Sequence, residues 1–398
     1  MKIGFVYDAV YPWIKGGGEK TLYELACELR DRGHECHFFG MQCWPGTADM
    51  TCDGLHYHAV CPNIPLYGPG GKRRISQPLR FAWGVLTRLG RHDLRTFDIL
   101  DVHAFPFFSV PAFWIVRRLH AAKLPWLLTW LEVWGRDYWS RYAGRKGFVG
   151  AWLEQWCART APHHLCISET TAERLSKLLA VPRDLTTVIP RGFAGPPAFA
   201  SVPVRVPGRV VIAGRLLAYK RTELILAAWP SVVERVPHAV LHVVGDGPEL
   251  SALKRLADQL KLGESVRFLG QLAERDQVLA EIAAAELLLQ PSVREGQSTV
   301  VLEALMLGTP VVAAVGDETA VGDFLGDSQM TALARIEAGV PAEAWSQRIV
   351  QLLRDSDART KLASAGSAAV QKLGWRDHIA PAVERLYQQQ IAEQSSGR

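Results

Sequence analysis

The feature that most constrains this chain is a rhythm that runs through it twice. Short apolar runs of strand length, "KIGFVYDA", "ECHFFG", "LHYHAV", "ILDVHA", "PWLLTW" and "HHLCIS", alternate with stretches of helical spacing. Continuous apolar runs belong to strands covered on both faces, and strand–helix alternation implies a parallel sheet with helices on either side. Residues 194–208, "AGPPAFASVPVRVPG", break the rhythm with prolines and small side chains and read as a linker. The cycle resumes at "RVVIAGR" and continues through "AVLHVVGDG", "SVRFLG", "AELLLQPS" and "TPVVAA". The expectation is an α/β chain of two Rossmann-like doubly wound domains, 1–193 and 209–375, with a helical segment 376–398 that packs back on the first. Such sheets bind ligands at the carboxyl ends of their strands, so two of them facing one another would leave a binding cleft.

The 398 residues are 48% hydrophobic and 21% charged, an ordinary globular balance with ample material for large cores. No run reaches the roughly 18 apolar residues of a membrane span, and the N-terminus enters a strand directly, which predicts a cytoplasmic protein without a signal peptide. Seven cysteines, an odd number with no C-x-x-C pair, suit a reducing compartment. Cys52, His56, His58 and Cys61 in "CDGLHYHAVC" offer zinc-type ligands, but their spacing fits no common zinc ribbon or finger, and a structural role is the plainer reading. Residues 1–200 hold 24 basic against 17 acidic side chains, and the excess concentrates between 66 and 148, with 14 against 5. Ten of the 13 tryptophans precede residue 160. In "GKRRISQPLRFAWGVLTRLGRH" Lys72, Arg73, Arg74, Arg80, Arg88 and Arg91 surround Leu79, Phe81, Ala82, Trp83, Val85, Leu86 and Leu89, a pattern suited to a helix lying on an anionic membrane surface. No nucleic-acid motif accompanies the charge, so no nucleic-acid partner is expected.

The stretch "YPWIKGGGEKTLYEL" runs three glycines into Lys20 and Thr21. It is not a Walker loop, because Glu19 and Ile14 stand where glycines are required. Its setting is strand, glycine loop, helix start, with Leu22, Leu25, Ala26 and Leu29 on one helical face and Gly33 as the stop. A helix N-terminus offers free N–H groups and a positive dipole end to an anion. In the second half, "AGRLLAYKR" sets Arg215 and Lys220 just past a strand end, where a guanidinium fork and an ammonium can converge on a diphosphate. In "QPSVREGQSTVVLEALMLGTPVVA", Glu295 precedes a helix and Glu303 lies two turns along it. That helix is apolar almost all round, so a carboxylate within it needs a specific partner such as a pair of ribose hydroxyls.

These motifs, taken with "DVHAF", "CISETTAERL", "VIPRG", "VVGDGPE" and "VRFLG" in order, resemble a retaining glycosyltransferase of the two-domain GT-B type, glycosyltransferase family 4, along nearly the whole chain. The resemblance implies that Gly17 and Gly18 approach the donor diphosphate and that Arg215 and Lys220 neutralise it as it leaves. It further implies that Glu295 binds the donor sugar and Glu303 the ribose, while Gly245 to Gly247 and Leu269 to Gly270 line the base. Gly296, Gln297, Ser298 and Thr299 complete the donor loop; Gln297 and Ser298 replace the usual large and small pair. Arg191 stands where asparagine is common, Asp101 where the partner of His103 is a second histidine, and Leu131 where many members have a histidine that touches the sugar. His103 and Glu132, which follows Leu131, are the acceptor-side candidates. The implied activity moves a sugar from a UDP- or GDP-sugar to a glycan or polyprenyl-diphosphate-linked acceptor, with retention, with no cofactor and no metal. A sugar-nucleotide epimerase, a polymerising enzyme of the same fold, or a catalytically weak sugar-nucleotide-binding protein are the alternatives.

Overall fold

In the computed structural model, which describes residues 1–14, 16–65, 74, 76–193, 203–325 and 334–396, contacts divide the chain into two compact units, Met1–Ala194 with Leu373–Arg398, and Gly195–Lys372. The first unit holds β1 (Lys2–Val6), β2 (Glu35–Gln42), β3 (Asp49–Cys52), β4 (Leu55–Pro62), β5 (Ile99–His103), β6 (Trp126–Trp130), β7 (His164–Cys166) and β8 (Thr186–Val188). They form one sheet in the order β3-β4-β2-β1-β5-β6-β7-β8, parallel throughout except for the β3–β4 pair. Its helices are α1 (Gly17–Asp31), α2 (Ser76–Arg88), α3 (Ser109–His120), α4 (Gly135–Ala143), α5 (Gly147–Thr160) and α6 (Glu169–Leu179). Apolar side chains on both sheet faces fill the core, with Phe5, Phe39, Phe81, Phe113 and Trp130 wholly buried.

The second unit holds β9 (Arg209–Ala213), β10 (Val240–Val244), β11 (Val266–Gly270), β12 (Leu287–Gln290), β13 (Val311–Val315) and β14 (Arg335–Glu337) in the order β11-β10-β9-β12-β13-β14, all parallel. Among its helices are α7 (Thr222–Arg235), α8 (Leu250–Gln259), α9 (Arg275–Ala284) and α10 (Thr299–Met306). This is the doubly wound Rossmann order. The strand sequence reverses between β9 and β12 here and between β1 and β5 in the first unit, and each reversal opens a crevice at the strands' carboxyl ends.

Two expectations need correction. The return to the first unit begins at Leu373, not 376, because Trp375 packs on Gly192 and its Nε1 donates to Glu24 at 2.9 Å. The α2 helix is not a free interfacial element: Phe81, Val85 and the following Leu89 are buried in the core, and only Leu79 and Trp83 of its large apolar residues face outward. Lys72, Arg73 and residues 194–202 of the linker lie outside the described residues. For Cys52, His56, His58 and Cys61 the structure agrees with the structural reading. Strand periodicity puts His56 and His58 on one face, but Cys61 joins the hydrophobic core and Cys52 turns to Asp53, so the four do not converge.

Candidate active site

In the second unit the predicted donor residues gather at the strand-order reversal. Arg215 leaves the end of β9, and a short turn, Ala218–Lys220, carries Lys220 to the start of α7. Arg215, Lys220, Thr222, Gln290 and Ser292 line one pocket there. Thr222, the first residue of α7, has a buried hydroxyl with no hydrogen-bond partner among the described residues, beside the positive end of a 14-residue helix. Lys220 pairs with Glu295 Oε1, and the same oxygen accepts from Gln290 Nε2 at 2.6 Å. The backbone fixes this arrangement: Val293 N donates to Tyr219 O, Glu295 N to Glu318 O and Ala320 N to Glu295 O, at 2.8–3.0 Å. Gln290, Ser292 and Thr222 are site residues that the motifs did not single out.

Gly245 and Gly247 have a packing reason for being glycine. A Cβ on Gly245 would stand 2.0 Å from Gly214 O, and one on Gly247 would stand 2.3 Å from Leu216 O. Gly245 also has φ +132°, open only to glycine without strain. These contacts lace the β9 and β10 loops together, and Gly245 N donates to Gly270 O at 2.8 Å, next to Leu269. Gly296 lies in the loop before α10, Gln297 and Ser298 are buried within it, and Thr299 opens the helix. Glu303 is buried on α10 and pairs with Arg275 at the start of α9. Arg275 is the partner that a carboxylate in an apolar helix requires, and it lies in a segment no motif covered. The one Asp-x-Asp in the chain, Asp355-Ser356-Asp357, is a helix start, with Asp355 accepting from Ala358 N at 2.8 Å.

In the first unit, the reversal between β1 and β5 brings Gly18, His103, Leu131 and Arg191 around a cavity of about 50 Å³. A Cβ on Gly18 would lie 3.0 Å from Leu131 Cδ1 and 3.8 Å from an Arg191 Nη, so the glycine admits both side chains to the mouth of α1. Gly17 opens that helix, and Gly16 caps it. Glu19 lies at that open helix end: its carboxylate packs against the Gly16 cap, accepts from its own backbone N–H and from Tyr7 Oη at 3.1 Å, and burial raises its pKa. His103 stacks on Tyr7 at 4.4 Å, and neither ring nitrogen has a hydrogen-bond partner among the described residues. Burial, aided by the Arg191 charge, pushes His103 down to about 3, so it is a neutral imidazole at physiological pH. Asp101 is not a substrate group but a buried tie, accepting from Thr129 Oγ1 at 2.5 Å and from Tyr387 Oη at 2.6 Å. Glu132 follows Leu131 and accepts from Trp134 Nε1 at 3.0 Å.

Two family models match this chain. One, described as Glycosyltransferase Family 4, covers residues 15–194; the other, Glycosyl transferases group 1, covers residues 205–368. The phosphatidyl-myo-inositol mannosyltransferase of Mycobacterium leprae is 26% identical over 394 residues, 98% of this chain and 96% of its own. The chain spans 41% of the length of one curated relative and 99% of another. Among solved structures, sucrose-phosphate synthase from Thermosynechococcus elongatus superposes with a TM-score of 0.79 at 20% identity, over 98% of this chain and 99% of that one. An Anabaena protein in complex with UDP-glucose gives 0.68 at 18% identity, over 100% of both chains. These structural likenesses establish the fold as GT-B.

Proposed function

Because the chain belongs to the family 4 glycosyltransferases, we propose that it transfers a sugar from a nucleotide-sugar donor to a lipid-linked or other membrane-bound acceptor, with retention of anomeric configuration and without a catalytic metal. The observation that carries this reading is the pocket at the β9–β12 reversal, where Arg215, Lys220, the unpartnered Thr222 hydroxyl and the α7 N-terminus share one space. Cleaving an anomeric bond builds positive charge on the sugar and negative charge on the departing diphosphate. Two cations, a hydroxyl and a helix dipole fixed around that position stabilise the departing charge in the transition state. Glu295, clamped by Gln290, holds Lys220 at the pocket and takes the donor sugar's hydroxyls. Glu303 accepts from the ribose.

The acceptor side rests on the first unit. Leu79 and Trp83 are exposed on α2, flanked by exposed Arg80, Arg88 and Arg91. An apolar patch ringed by guanidinium groups suits an anionic lipid surface, each cation contributing about 1 kcal/mol near the headgroups. No helix among the described residues is long and apolar enough to cross a membrane. The relative from M. leprae is named for a phosphatidyl-inositol acceptor, which supports the same class here.

The test is transfer from a panel of UDP- and GDP-sugars to polyprenyl-diphosphate and glycolipid acceptors, with the product's anomeric configuration read by NMR. An α-linked product that forms equally in excess EDTA is expected. An inverted product, or activity abolished by EDTA and restored by Mg²⁺, would overturn the mechanism. Epimerised nucleotide sugar without transfer would overturn the reaction class.

A further inference from the structure

One cluster in the first unit has no part in this chemistry. It lies toward the amino ends of β2 and β4, away from the carboxyl-end crevice. The β2–β4 register pairs His37 with His56, and the antiparallel β3–β4 register pairs Asp49 with His58 and Thr51 with His56. His37 stacks on His56 with centroids 4.5 Å apart and planes at 17°. His37 Nε2 lies 2.7 Å from Glu35 Oε1, His37 Nδ1 lies 2.8 Å from His58 Nε2, and His58 Nδ1 lies 2.7 Å from Asp49 Oδ1.

This row of carboxylate, imidazole, imidazole and carboxylate contains three short polar contacts, and each needs a proton between its atoms. Two neutral imidazoles supply only two N–H groups. With both imidazoles neutral, one carboxylate faces a bare ring nitrogen, lone pair against lone pair, an arrangement that a cation relieves; Lys2 Nζ, 3.2 Å from Glu35 Oε1, is the cation beside that oxygen now, and a bound ion takes its place.

We propose that Glu35, His37 and His56 bind one divalent transition-metal ion of the zinc class. One ligand atom from each of the three lies within 4.8 Å of the others. Zinc holds nitrogen and oxygen ligands at about 2.0–2.2 Å with the ion in the plane of each imidazole, so the His56 ring turns out of its stack on His37 to complete the site. An imidazole and carboxylate donor set suits zinc, cobalt or nickel. Every proton then has a place. His37 Nε2 and Glu35 face the ion, His37 Nδ1–H donates to His58 Nε2, and His58 Nδ1–H donates to Asp49. His56 Nδ1–H donates to Thr51 Oγ1 at 3.0 Å and frees Nε2 for the ion. Imidazole ligands oriented by a second hydrogen-bonded group are the usual construction of such sites.

Asp49, His58 and His92 form a second set with ligand atoms within 4.8 Å. The proton shared by His37 and His58 can face only one way, so the two sets exclude each other and one chain takes one ion. The Glu35 set is favoured because His37 is held between the stacked His56 ring and His58, while the Asp49 side chain is 65% exposed. The ion ties the β3–β4 hairpin to β2.

The untagged full-length chain, stripped with chelator, is titrated with Zn²⁺ by calorimetry and with Co²⁺ by visible absorption. One equivalent of Zn²⁺, a rise in Tm, and Co²⁺ bands of low-coordinate nitrogen and oxygen ligation are expected. His56→Gln should abolish binding. Asp49→Asn, behind the ligands, should weaken it about 10–100-fold. Glu35→Gln, at a half-exposed position, serves as a ligand variant that keeps its fold, and its Tm should no longer respond to Zn²⁺. No saturable binding, or binding unchanged in both His56→Gln and Glu35→Gln, overturns the site. Loss on His92→Gln with retention on His56→Gln overturns the assignment. Sugar transfer should be the same with and without the ion, which separates this site from the transferase reading.

Discussion

Lys220 and Glu295 are 75 positions apart in sequence and in contact in the fold. Removing a fixed charge from a site where negative charge develops costs about 2.7–4 kcal/mol, or ~10²–10³ in kcat, so Lys220→Ala and Arg215→Ala should each lower turnover to that extent. Wild-type-like kcat in both variants would reject the diphosphate assignment. Asp101 gives a pH test of a different kind. Burial pushes its pKa up to about 6, against hydrogen bonds from Thr129 and Tyr387 that pull it down. A raised carboxyl binds its proton in the native state before the unfolded chain does. Between its ordinary value of 3.8 and about 6 the native state therefore holds more protons, and this group's contribution to stability falls as pH rises through that window. Asp101→Asn should flatten that portion of a Tm-against-pH profile from pH 4 to 7; parallel profiles would show that Asp101 does not titrate there. The legibility of the site follows the same division between local and distant partners. Arg215, Lys220, Glu295 and Glu303 were readable because each sits at a strand end or in a helix whose pattern makes its polarity anomalous. Arg275, Gln290 and Thr222 were not, because their meaning lies in a partner or pocket that only the fold brings near.

At the scale of the element, α2 shows what periodicity alone leaves open. Its apolar residues run almost all round, and spacing cannot say which of them meet the sheet. Phe81 is wholly buried and Trp83 is 66% exposed, two positions apart on one helix. Phe81→Ala should cost about 3–5 kcal/mol of stability, as large aromatic truncations in cores do. Trp83→Ala should change stability by less than about 0.5 kcal/mol, as exposed substitutions do. Its effect should appear instead in co-sedimentation with anionic vesicles, where binding drops and the remaining binding weakens with salt. Vesicle binding equal to wild type for Trp83→Ala at low salt would remove α2 from the membrane contact. The strands that escaped sequence reading, β3, β8 and β14, have three or four residues each, and β7 and β12 are as short but stand in apolar runs. β3 alternates exposed and half-buried positions, so it carries no apolar run to detect; its position is set by the hairpin with β4.

At the scale of the whole molecule, the chain's path is the feature the motifs announced least clearly. The rhythm of strands and helices separated two domains at the linker, but the sequence after residue 372 has no strand to mark where it belongs. Physical chemistry does mark it. The helix Ala380–Ser395 buries Val383, Leu386 and Tyr387, and the Tyr387 hydroxyl reaches Asp101 in the first unit's central strands. Arg32 and His34 hold Glu384 on the same helix at 2.6–3.0 Å, and Trp375 fills the space over Gly192. A chain ended at Lys372 would leave Asp101 buried without its tyrosine and strip from the first unit a helix whose apolar face it buries. A buried carboxyl that loses its donor costs about 1–3 kcal/mol or more, and losing several buried side chains adds several kcal/mol, which together rival the 5–15 kcal/mol of a whole domain. Truncation should therefore unfold the first unit while the second, Gly195–Lys372, keeps its own core. Calorimetry of the truncated chain should show the second unit's transition alone, and limited proteolysis should leave a fragment of that unit. Two transitions at wild-type temperatures would mean that the C-terminal helix is an accessory to the first unit and not part of its core.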